Sequence, residues 1–367
     1  MKIGILTFHN SRNYGAVLQA FGLKQILEQF GHKVEVIDYR NSLIENRKRP
    51  FSLTSFKSNP VRYIQQFFSS YINYRRKVRN FALFGYKHLN VTKHRYIPED
   101  INSSDYDLLI IGSDQVWNPI LTDGPDPVYW GKYKPGNARL ITYAASSGKI
   151  DLLENEKFKS VGDWLKRFNH ISVREERLKD YVDFHSEKKA SVVVDPTLLA
   201  GRPIFEQIAS PRIIKQPYVL VYSVEGGIDK MLPVVKKASE LYHAKIIRIG
   251  SNGLSAMFKD MRNGITYKNA TVEEMLSLIK YAECVIALSF HGTALSLLFE
   301  KDFYSVKGGN MARVESVLSK CGLDDRIVSS PSEVIFSHID YSTVRPVLTR
   351  MSDNSKEWLR AALNDMR

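Results

Sequence analysis

The strongest constraint on the fold is residues 284–307, where two apolar runs flank a segment of helix-forming composition. The first run, residues 284–288, has the length and β-branched content of a buried parallel strand. The second run, residues 303–306, follows shortly afterwards. A strand, a helix and another strand in this order predict one unit of an open α/β sheet.

His291 lies in the Ser-Phe-His-Gly-Thr turn that follows the first of these strands. In open α/β sheets, ligands bind at the carboxyl ends of the strands. A helix that begins there adds free N–H groups and a dipole that favour an anion, and a histidine beside an anion can transfer protons. Position alone leaves open a second interpretation, in which His291 only caps the helix or hydrogen-bonds within the turn.

Length and composition indicate a soluble two-domain protein. The chain has 367 residues, of which 44% are hydrophobic and 25% charged. Its two cysteines, Cys284 and Cys321, argue against a disulfide framework and a cysteine-rich zinc site. The first residues are typical of a strand and not of a signal peptide, and no apolar run is long enough to span a bilayer. We therefore expect a cytoplasmic protein.

The net charge of +13 is concentrated in residues 41–96, which contain twelve Lys and Arg and one acidic residue. Aromatic residues lie among these charges. This mixture suits an anionic membrane surface or a lipid-linked diphosphate, and it also suits RNA. A third interpretation is a solvated helical insertion whose aromatic residues pack on the domain. We expect no nucleic acid partner, because RNA binding would leave the polar clusters at the strand ends unexplained.

Two loops near the N-terminus are candidate binding loops. Residues 2–39 have the strand–loop–helix–strand order of a doubly wound sheet, and Asn13 and Gly15 lie in the loop. No GxGxxG pattern indicates a dinucleotide. A second strand, residues 107–112, is followed by Asp114, Gln115, Trp117 and Asn118, which could hold a sugar by ring stacking and hydrogen bonds. Simple structural turns remain the alternative for both loops.

Two further strand ends indicate an anion site. Ser147 and Lys149 follow the predicted strand at 140–145, although the pattern is far short of a P-loop. Arg174 follows the strand at 170–173. A single arginine is often part of a surface ion pair, but this position favours an anion ligand.

The predicted domains are residues 1–205, with a basic, aromatic helical insertion at 41–104, and residues 206–335. A helical tail at 336–367 completes the chain.

Four stretches together resemble the polysaccharide pyruvyl transferase family. They are FHNSRNYGAVLQAFGL from Phe8, IIGSDQVWNP from Ile110, ISVREE from Ile171 with VVDPTLL from Val193, and ALSFHGTALSLLF from Ala287. The resemblance implies two Rossmann-like domains that face a cleft, as in GT-B glycosyltransferases. It also implies transfer of pyruvate from phosphoenolpyruvate to a sugar, as a ketal, in a capsule or exopolysaccharide or its lipid-linked precursor.

By this resemblance, Arg174 and His291 match the family's functional arginine and histidine, and Lys307 matches a lysine further on. Phosphoenolpyruvate carries two or three negative charges, so its site needs cations and helix N-termini. No step needs a metal or a redox cofactor, and we expect neither. The predicted catalytic residues are His291 and Arg174; the predicted donor ligands are Arg174, Lys307, Ser147, Lys149, Gly292 and Thr293; the predicted acceptor ligands are Asn13, Gly15, Asp114, Gln115, Trp117 and Asn118.

Two further expectations follow. Residues 41–96 dock the enzyme peripherally at the inner membrane face, where lipid-linked oligosaccharide acceptors are presented. The main alternative function is a GT-B sugar-nucleotide glycosyltransferase, in which His291 and Lys307 would bind the phosphates of a nucleotide diphosphate.

Overall fold

The chain folds into two compact units. A computed structural model describes residues 1–46, 60–101, 106–133, 136, 138–148, 152, 161–223, 228–250, 264–308 and 311–365. The first unit comprises the described residues of 1–46, 85–204 and 342–367, and the second those of 47–84 and 205–341. Each unit has its own buried apolar core.

The strands form two parallel sheets and one short parallel pair. In chain order they are β1 (Lys2–Leu6), β2 (Lys33–Tyr39), β3 (Val91–Tyr96), β4 (Leu108–Ile111), β5 (Arg139–Thr142), β6 (Ser172–Val173), β7 (Ser191–Val192), β8 (Tyr218–Tyr222), β9 (Lys245–Gly250), β10 (Gly264–Lys268), β11 (Cys284–Ala287), β12 (Asp302–Val306) and β13 (Ile327–Val328).

Helices connect most of these strands. They are α1 (Tyr14–Gln29), α2 (Ser42–Asn46), α3 (Pro60–Phe84), α4 (Pro98–Ile101), α5 (Pro119–Thr122), α6 (Gly162–Leu165), α7 (Glu176–His185), α8 (Pro196–Ala200), α9 (Arg202–Ile208), α10 (Ile228–Leu241), α11 (Val272–Lys280), α12 (Phe290–Leu298), α13 (Ala312–Lys320) and α14 (Tyr341–Asn364).

The first sheet has the order β3-β2-β1-β4-β5. Its central strands β1 and β4 are largely apolar on both faces because helices cover a parallel sheet on both sides, and all four residues of β4 are buried. The β6–β7 pair lies beside β5 through bridges such as Ala145 to Val173. The strand order reverses between β1 and β4, so the loops after these two strands flank the topological switch point.

The second sheet has the order β10-β9-β8-β11-β12-β13, the strand order of a complete Rossmann-type sheet. Its switch point lies between β8 and β11, which pair in register from Val219–Cys284 to Tyr222–Ala287. The predicted α/β class with two parallel sheets is confirmed.

The basic segment is organised differently from the expected insertion at 41–104 in the first domain. Residues 91–96 form the edge strand β3, which pairs with β2 in the first sheet. Helix α3 groups instead with the second unit. There, Asn80 Nδ2 donates to Asn269 O (2.8 Å), and Asn269 Nδ2 donates to Asn73 Oδ1 (2.7 Å).

The C-terminal helix α14 begins at Tyr341, and from Ser342 onward the chain belongs to the first unit. Ser352 Oγ donates to Leu199 O (3.0 Å), and Ser355 Oγ accepts from Val194 N (3.1 Å). Through the described part of the chain, no helix combines the length and apolar character that crossing a bilayer requires.

Candidate functional site

The loops at the carboxyl edge of the first sheet are tied together by buried hydrogen bonds. Thr7 Oγ1, just after β1, donates to Ser113 O (2.9 Å), just after β4, and accepts from Gln19 Nε2 on α1 (2.9 Å). Ser113 Oγ donates to Ala144 O (3.1 Å), after β5. The strand ends that the sequence singled out in this unit therefore meet at one edge.

Arg174 is part of a buried ion pair. Its Nη2 lies 2.5 Å from Asp195 Oδ2, and its Nη1 lies 4.0 Å from Asp114 Oδ1. Its Nε donates to Ser113 Oγ (3.0 Å). The side chain of Arg174 is 3% exposed, and that of Asp195 is 0% exposed. Protein groups therefore already bind two of the three guanidinium nitrogens, Nε and Nη2, and the expected contact between Arg174 and a donor anion stays a prediction.

The turn after β5 is built by close packing. Ser146 Oγ donates to Glu175 Oε1 (2.5 Å) and accepts from Gly148 N (3.0 Å). Gly148 has φ +72°, in the left-handed region that favours glycine, and a Cβ there would lie 2.5 Å from Gln115 Oε1. Ser147 is 3% exposed. The predicted donor ligand Lys149 lies outside the described residues.

Among the predicted acceptor ligands, Trp117 is in the core. It is 0% exposed, stacks on Trp130 with ring centroids 4.3 Å apart, and donates from Nε1 to Tyr129 O (2.7 Å). Its ring faces are therefore not available for the expected stacking with a sugar. The sequence places Trp117 among polar residues, but its ring packs against Trp130, thirteen positions along the chain.

Asn118 and Asn13 cap helices. Asn118 Oδ1 accepts from Ile120 N at the start of α5 and its Nδ2 donates to Gln115 Oε1 (2.7 Å). Asn13 Oδ1 accepts from Gly15 N (3.0 Å), and Gly15 is inside α1. These capping bonds favour the structural interpretation of both asparagines. Asp114 keeps an 11% exposed side chain at the edge of the sheet.

A further polar cluster in the first unit was not anticipated. His9 Nε2 lies 3.0 Å from Asp38 Oδ1, and Arg40 donates to both carboxylate oxygens of Asp38 (2.6 and 2.8 Å). Burial opposes ionisation of Asp38, but hydrogen bonds from His9 and Arg40 outweigh it and hold the pKa of Asp38 well below its ordinary value. The sequence signal is Asp38, a charged residue between Ile37 and Tyr39 at the end of strand β2.

In the second unit, His291 lies in the first turn of α12. The helix begins at Phe290, within the Ser-Phe-His-Gly-Thr segment that was expected to be a turn, because Ser289 Oγ accepts from Gly292 N (3.2 Å) and caps it. A Cβ at Gly292 would lie 2.7 Å from Cδ1 of Tyr222, the last residue of β8. The His291 turn therefore packs directly over the switch point between β8 and β11, and His291 is 9% exposed.

Two cations belong to the same edge. Ala287 and Ser305 are register partners, so Ser289 and the exposed Lys307 each lie two residues beyond this pair. The Arg313 guanidinium lies 5.4 Å from the ring centroid of Phe290, within the range of a cation–π contact. Arg313 was not anticipated, because its position on α13 depends on the tertiary packing.

Thr293 is fixed within the protein. Its Oγ1 lies 2.7 Å from Ser305 Oγ and donates to Ser289 O (3.3 Å). This places Thr293 as a support of the α12 turn. Among the described residues, no cluster of three or more His, Cys, Asp or Glu is arranged to hold a metal ion.

Two solved UDP-GlcNAc 2-epimerases have a fold similar to that of this chain. UDP-GlcNAc 2-epimerase from Rickettsia bellii has a TM-score of 0.52 and 11% identity, covering 100% of this chain and 96% of that chain. The enzyme from Neisseria meningitidis bound to UDP-GlcNAc has a TM-score of 0.52 and 10% identity, covering 100% of each chain. At this identity the similarity shows the fold, which is GT-B-like.

Sequence comparison identifies the family. No curated protein gives a significant match to the chain. The model of the family described as polysaccharide pyruvyl transferase matches residues 13–308, which is most of the chain and includes Asp114, Arg174 and His291. The chain therefore belongs to the polysaccharide pyruvyl transferase family.

Proposed function

We propose that the protein transfers the pyruvate unit of phosphoenolpyruvate to two hydroxyls of one sugar, which forms a pyruvate ketal. The sugar belongs to a cell-surface polysaccharide or to its lipid-linked precursor. The observation that carries this proposal is the position of His291, in the first turn of α12 over the switch point of the second sheet.

The reaction requires proton transfers that a histidine can perform. The methylene carbon of phosphoenolpyruvate gains a proton, the adjacent carbon forms bonds to two sugar oxygens, and the bond from that carbon to the phosphate oxygen breaks. The two sugar hydroxyls lose two protons. One replaces the proton that the methylene carbon takes up, and the other leaves with phosphate. We assign the proton transfer at the methylene carbon to His291, because histidine gives and accepts protons near neutral pH.

The donor anion is assigned to the second unit. Lys307 and Arg313 supply positive charge, and the N-terminal end of α12 adds its dipole. Gly292 lets the first turn of α12 pack closely on the sheet, because a Cβ there would lie 2.7 Å from Tyr222 Cδ1. The acceptor is assigned to the first unit, where the Asp114 carboxylate can accept hydrogen bonds from sugar hydroxyls.

The first test is acceptor-dependent phosphate release from phosphoenolpyruvate with a panel of lipid-linked oligosaccharides. His291→Ala should lower kcat by a factor of about 10² to 10⁴, the usual effect of removing a general acid–base group, while phosphoenolpyruvate still binds. His243→Asn is the matched control, because His243 is exposed, lies in the same unit, and has a left-handed backbone that Asn tolerates. Unchanged turnover in His291→Ala would remove this residue from the mechanism.

The second test measures donor binding by calorimetry. Lys307→Met and Arg313→Met should each raise the Kd of phosphoenolpyruvate, because each removes a positive charge from the carboxyl edge of the second sheet, where the donor is assigned. Stabilisation of the wild-type protein by UDP-sugars or GDP-sugars, without stabilisation by phosphoenolpyruvate, would favour the glycosyltransferase alternative instead.

We also propose that the exposed face of α3 docks the protein on an anionic lipid leaflet. Helix α3 contacts the rest of the second unit through Asn73 and Asn80, and Phe81 and Phe84 are buried on the same side of the helix. At 3.6 residues per turn, the exposed residues fall on the opposite side. Between residues 71 and 84 they are Tyr71, Ile72, Arg75, Arg76, Arg79, Ala82 and Leu83.

This face combines three positive charges with exposed apolar side chains, of which Ile72 is 50% and Leu83 45% exposed. Such a mixture is typical of helices that lie in a membrane interface. Each basic residue near an anionic leaflet contributes about 1 kcal/mol. Reversal of all three charges should therefore weaken binding by roughly 100-fold or more.

The test is co-sedimentation with phosphatidylglycerol and phosphatidylcholine vesicles across a salt series. Wild type should bind only the anionic vesicles, and salt should weaken this binding as the Debye length shortens. The triple variant Arg75→Glu, Arg76→Glu and Arg79→Glu should not bind. A control triple variant at the exposed Lys236, Lys245 and Lys320 carries the same charge change in the same unit. Equal binding by the two triple variants, or binding of RNA in place of vesicles, would refute the proposal.

A further inference from the structure

Arg174 lies between two carboxylates that differ in solvent exposure. Asp114 is the outermost, with an 11% exposed side chain; Arg174 is 3% exposed; Asp195 is 0% exposed. We propose that Arg174 is a positioning residue, which holds the loop that carries Asp114 and does not bind the donor. The kinetic part of this proposal rests on the proposed function, and the structural part does not.

The guanidinium connects elements that are far apart in sequence. Arg174 Nε and Nη2 both donate to Ser113 Oγ, and the Arg174 backbone N donates to Ala145 O (3.0 Å). Ser113 is 0% exposed and its carbonyl accepts from Thr7 Oγ1. Arg174 therefore fixes the residue directly before Asp114 against the ends of β1 and β5.

Asp114 has a backbone conformation that needs such support. Its φ is +73°, in the left-handed region that non-glycine residues rarely adopt. Its carbonyl accepts from Ser146 N (3.1 Å), which holds the conformation from one side. Strained residues of this kind persist where their surroundings determine them fully, and they cluster at functional sites.

The charge balance favours positioning over donor binding. Two carboxylates lie within 4.0 Å of the guanidinium, so their combined charge exceeds that of Arg174. The two carboxylates therefore offset the attraction that the guanidinium would exert on a donor with two or three negative charges. Loss of Arg174 would also leave Asp114 and Asp195 without the cation that lies between them.

Asp195 allows the ion pair to be tested without loss of a helix cap. Its Oδ2 faces Arg174, whereas its Oδ1 accepts from Thr197 N (2.8 Å) and Thr197 Oγ1 (2.6 Å) at the start of α8. An asparagine can keep the capping bonds while it removes the charge. Asp195→Asn therefore isolates the electrostatic contribution.

The first experiment compares melting temperatures of Arg174→Met, Asp195→Asn and the double variant. Each single variant leaves an uncompensated buried charge and should melt at least about 5 °C lower than wild type. The double variant should melt higher than either single variant, because it removes both charges. The exposed pair of Lys166 and Asp163, with side chains 66% and 79% exposed, is the control. Additive losses in the double variant would overturn the proposal.

The second experiment separates the two substrates. In Asp195→Asn and Arg174→Met, the acceptor KM should rise about tenfold or more, while the KM and the calorimetric Kd of phosphoenolpyruvate stay within about threefold. A rise confined to the donor KM would overturn the positioning role. If Arg174→Met does not fold, Asp195→Asn carries both measurements, because it keeps the cap of α8.

A loop readout distinguishes this proposal from the proposed function. Trp117 lies in the same loop and stacks on Trp130, so its fluorescence reports the loop conformation. Arg174→Met should shift that fluorescence whether or not wild type binds phosphoenolpyruvate. A failure of wild type to bind phosphoenolpyruvate would refute only the proposed function. An unchanged spectrum would show that Arg174 does not position the loop.

Discussion

The cluster of His9, Asp38 and Arg40 should stabilise the first unit in a pH-dependent manner. The side chain of Asp38 is 9% exposed and accepts three hydrogen bonds from the other two residues. Hydrogen bonds to charged groups contribute about 1.5–3 kcal/mol each, and removal of one partner of a fully buried pair costs about 3–5 kcal/mol. Because the side chain of Arg40 is 31% exposed, water compensates part of the loss, and Asp38→Asn should cost about 2–4 kcal/mol.

The sign of the pH dependence follows from the lowered pKa of Asp38. Burial raises this pKa, but the hydrogen bonds from His9 and Arg40 outweigh burial. An aspartate in an unfolded chain has a pKa of about 3.9. The stabilisation is therefore complete above about pH 5 and is lost progressively as the pH falls through the unfolded-state pKa toward the folded-state pKa.

Urea unfolding of wild type and Asp38→Asn, followed by circular dichroism at pH 7 and pH 3, measures both effects. The difference in unfolding free energy should be largest at pH 7 and smaller at pH 3. Asp163→Asn, which removes an exposed carboxylate from the same unit, should leave the unfolding midpoint unchanged. A difference between wild type and Asp38→Asn that is equal at both pH values would refute the assigned role of the ionised carboxylate.

Two other predictions concern the second unit. In Gly292→Ala, the new Cβ would lie 2.7 Å from Tyr222 Cδ1 and 3.0 Å from Ala287 Cβ. Overpacking should therefore cost about 1–3 kcal/mol and lower the melting temperature. An unchanged melting temperature would show that the α12 turn can move away from the sheet. Burial raises the pKa of the Cys321 thiol to about 11 and that of the Cys284 thiol further. A disulfide reagent at pH 8 should therefore modify neither thiol in the native protein and both thiols after denaturation. Rapid modification of either thiol in the native protein would contradict this prediction.

Local sequence patterns were enough to predict the α/β class and several strand ends. Helices cover a parallel sheet on both faces, so β4 and β11 are runs of consecutive apolar residues that need no partner to be identified. Helix α11 is marked by a capping box of Thr271 and Glu274. His291 was placed at the carboxyl edge for the same reason, because the strand before it is unambiguous.

Tertiary structure decided which side chains meet. Trp117 follows a strand end, where a ligand-binding residue is expected, but its ring stacks on Trp130 in the core. Only the tertiary structure shows this contact. Arg174 has its counter-charge on Asp195, which reaches it from another loop. Helix α3 adjoins β3 of the first sheet in sequence, yet it packs on the second unit through Asn269. Periodicity and turn residues report whether a residue is buried and in what backbone conformation; the partner of a buried charge or ring depends on contacts across the chain, which no local pattern encodes.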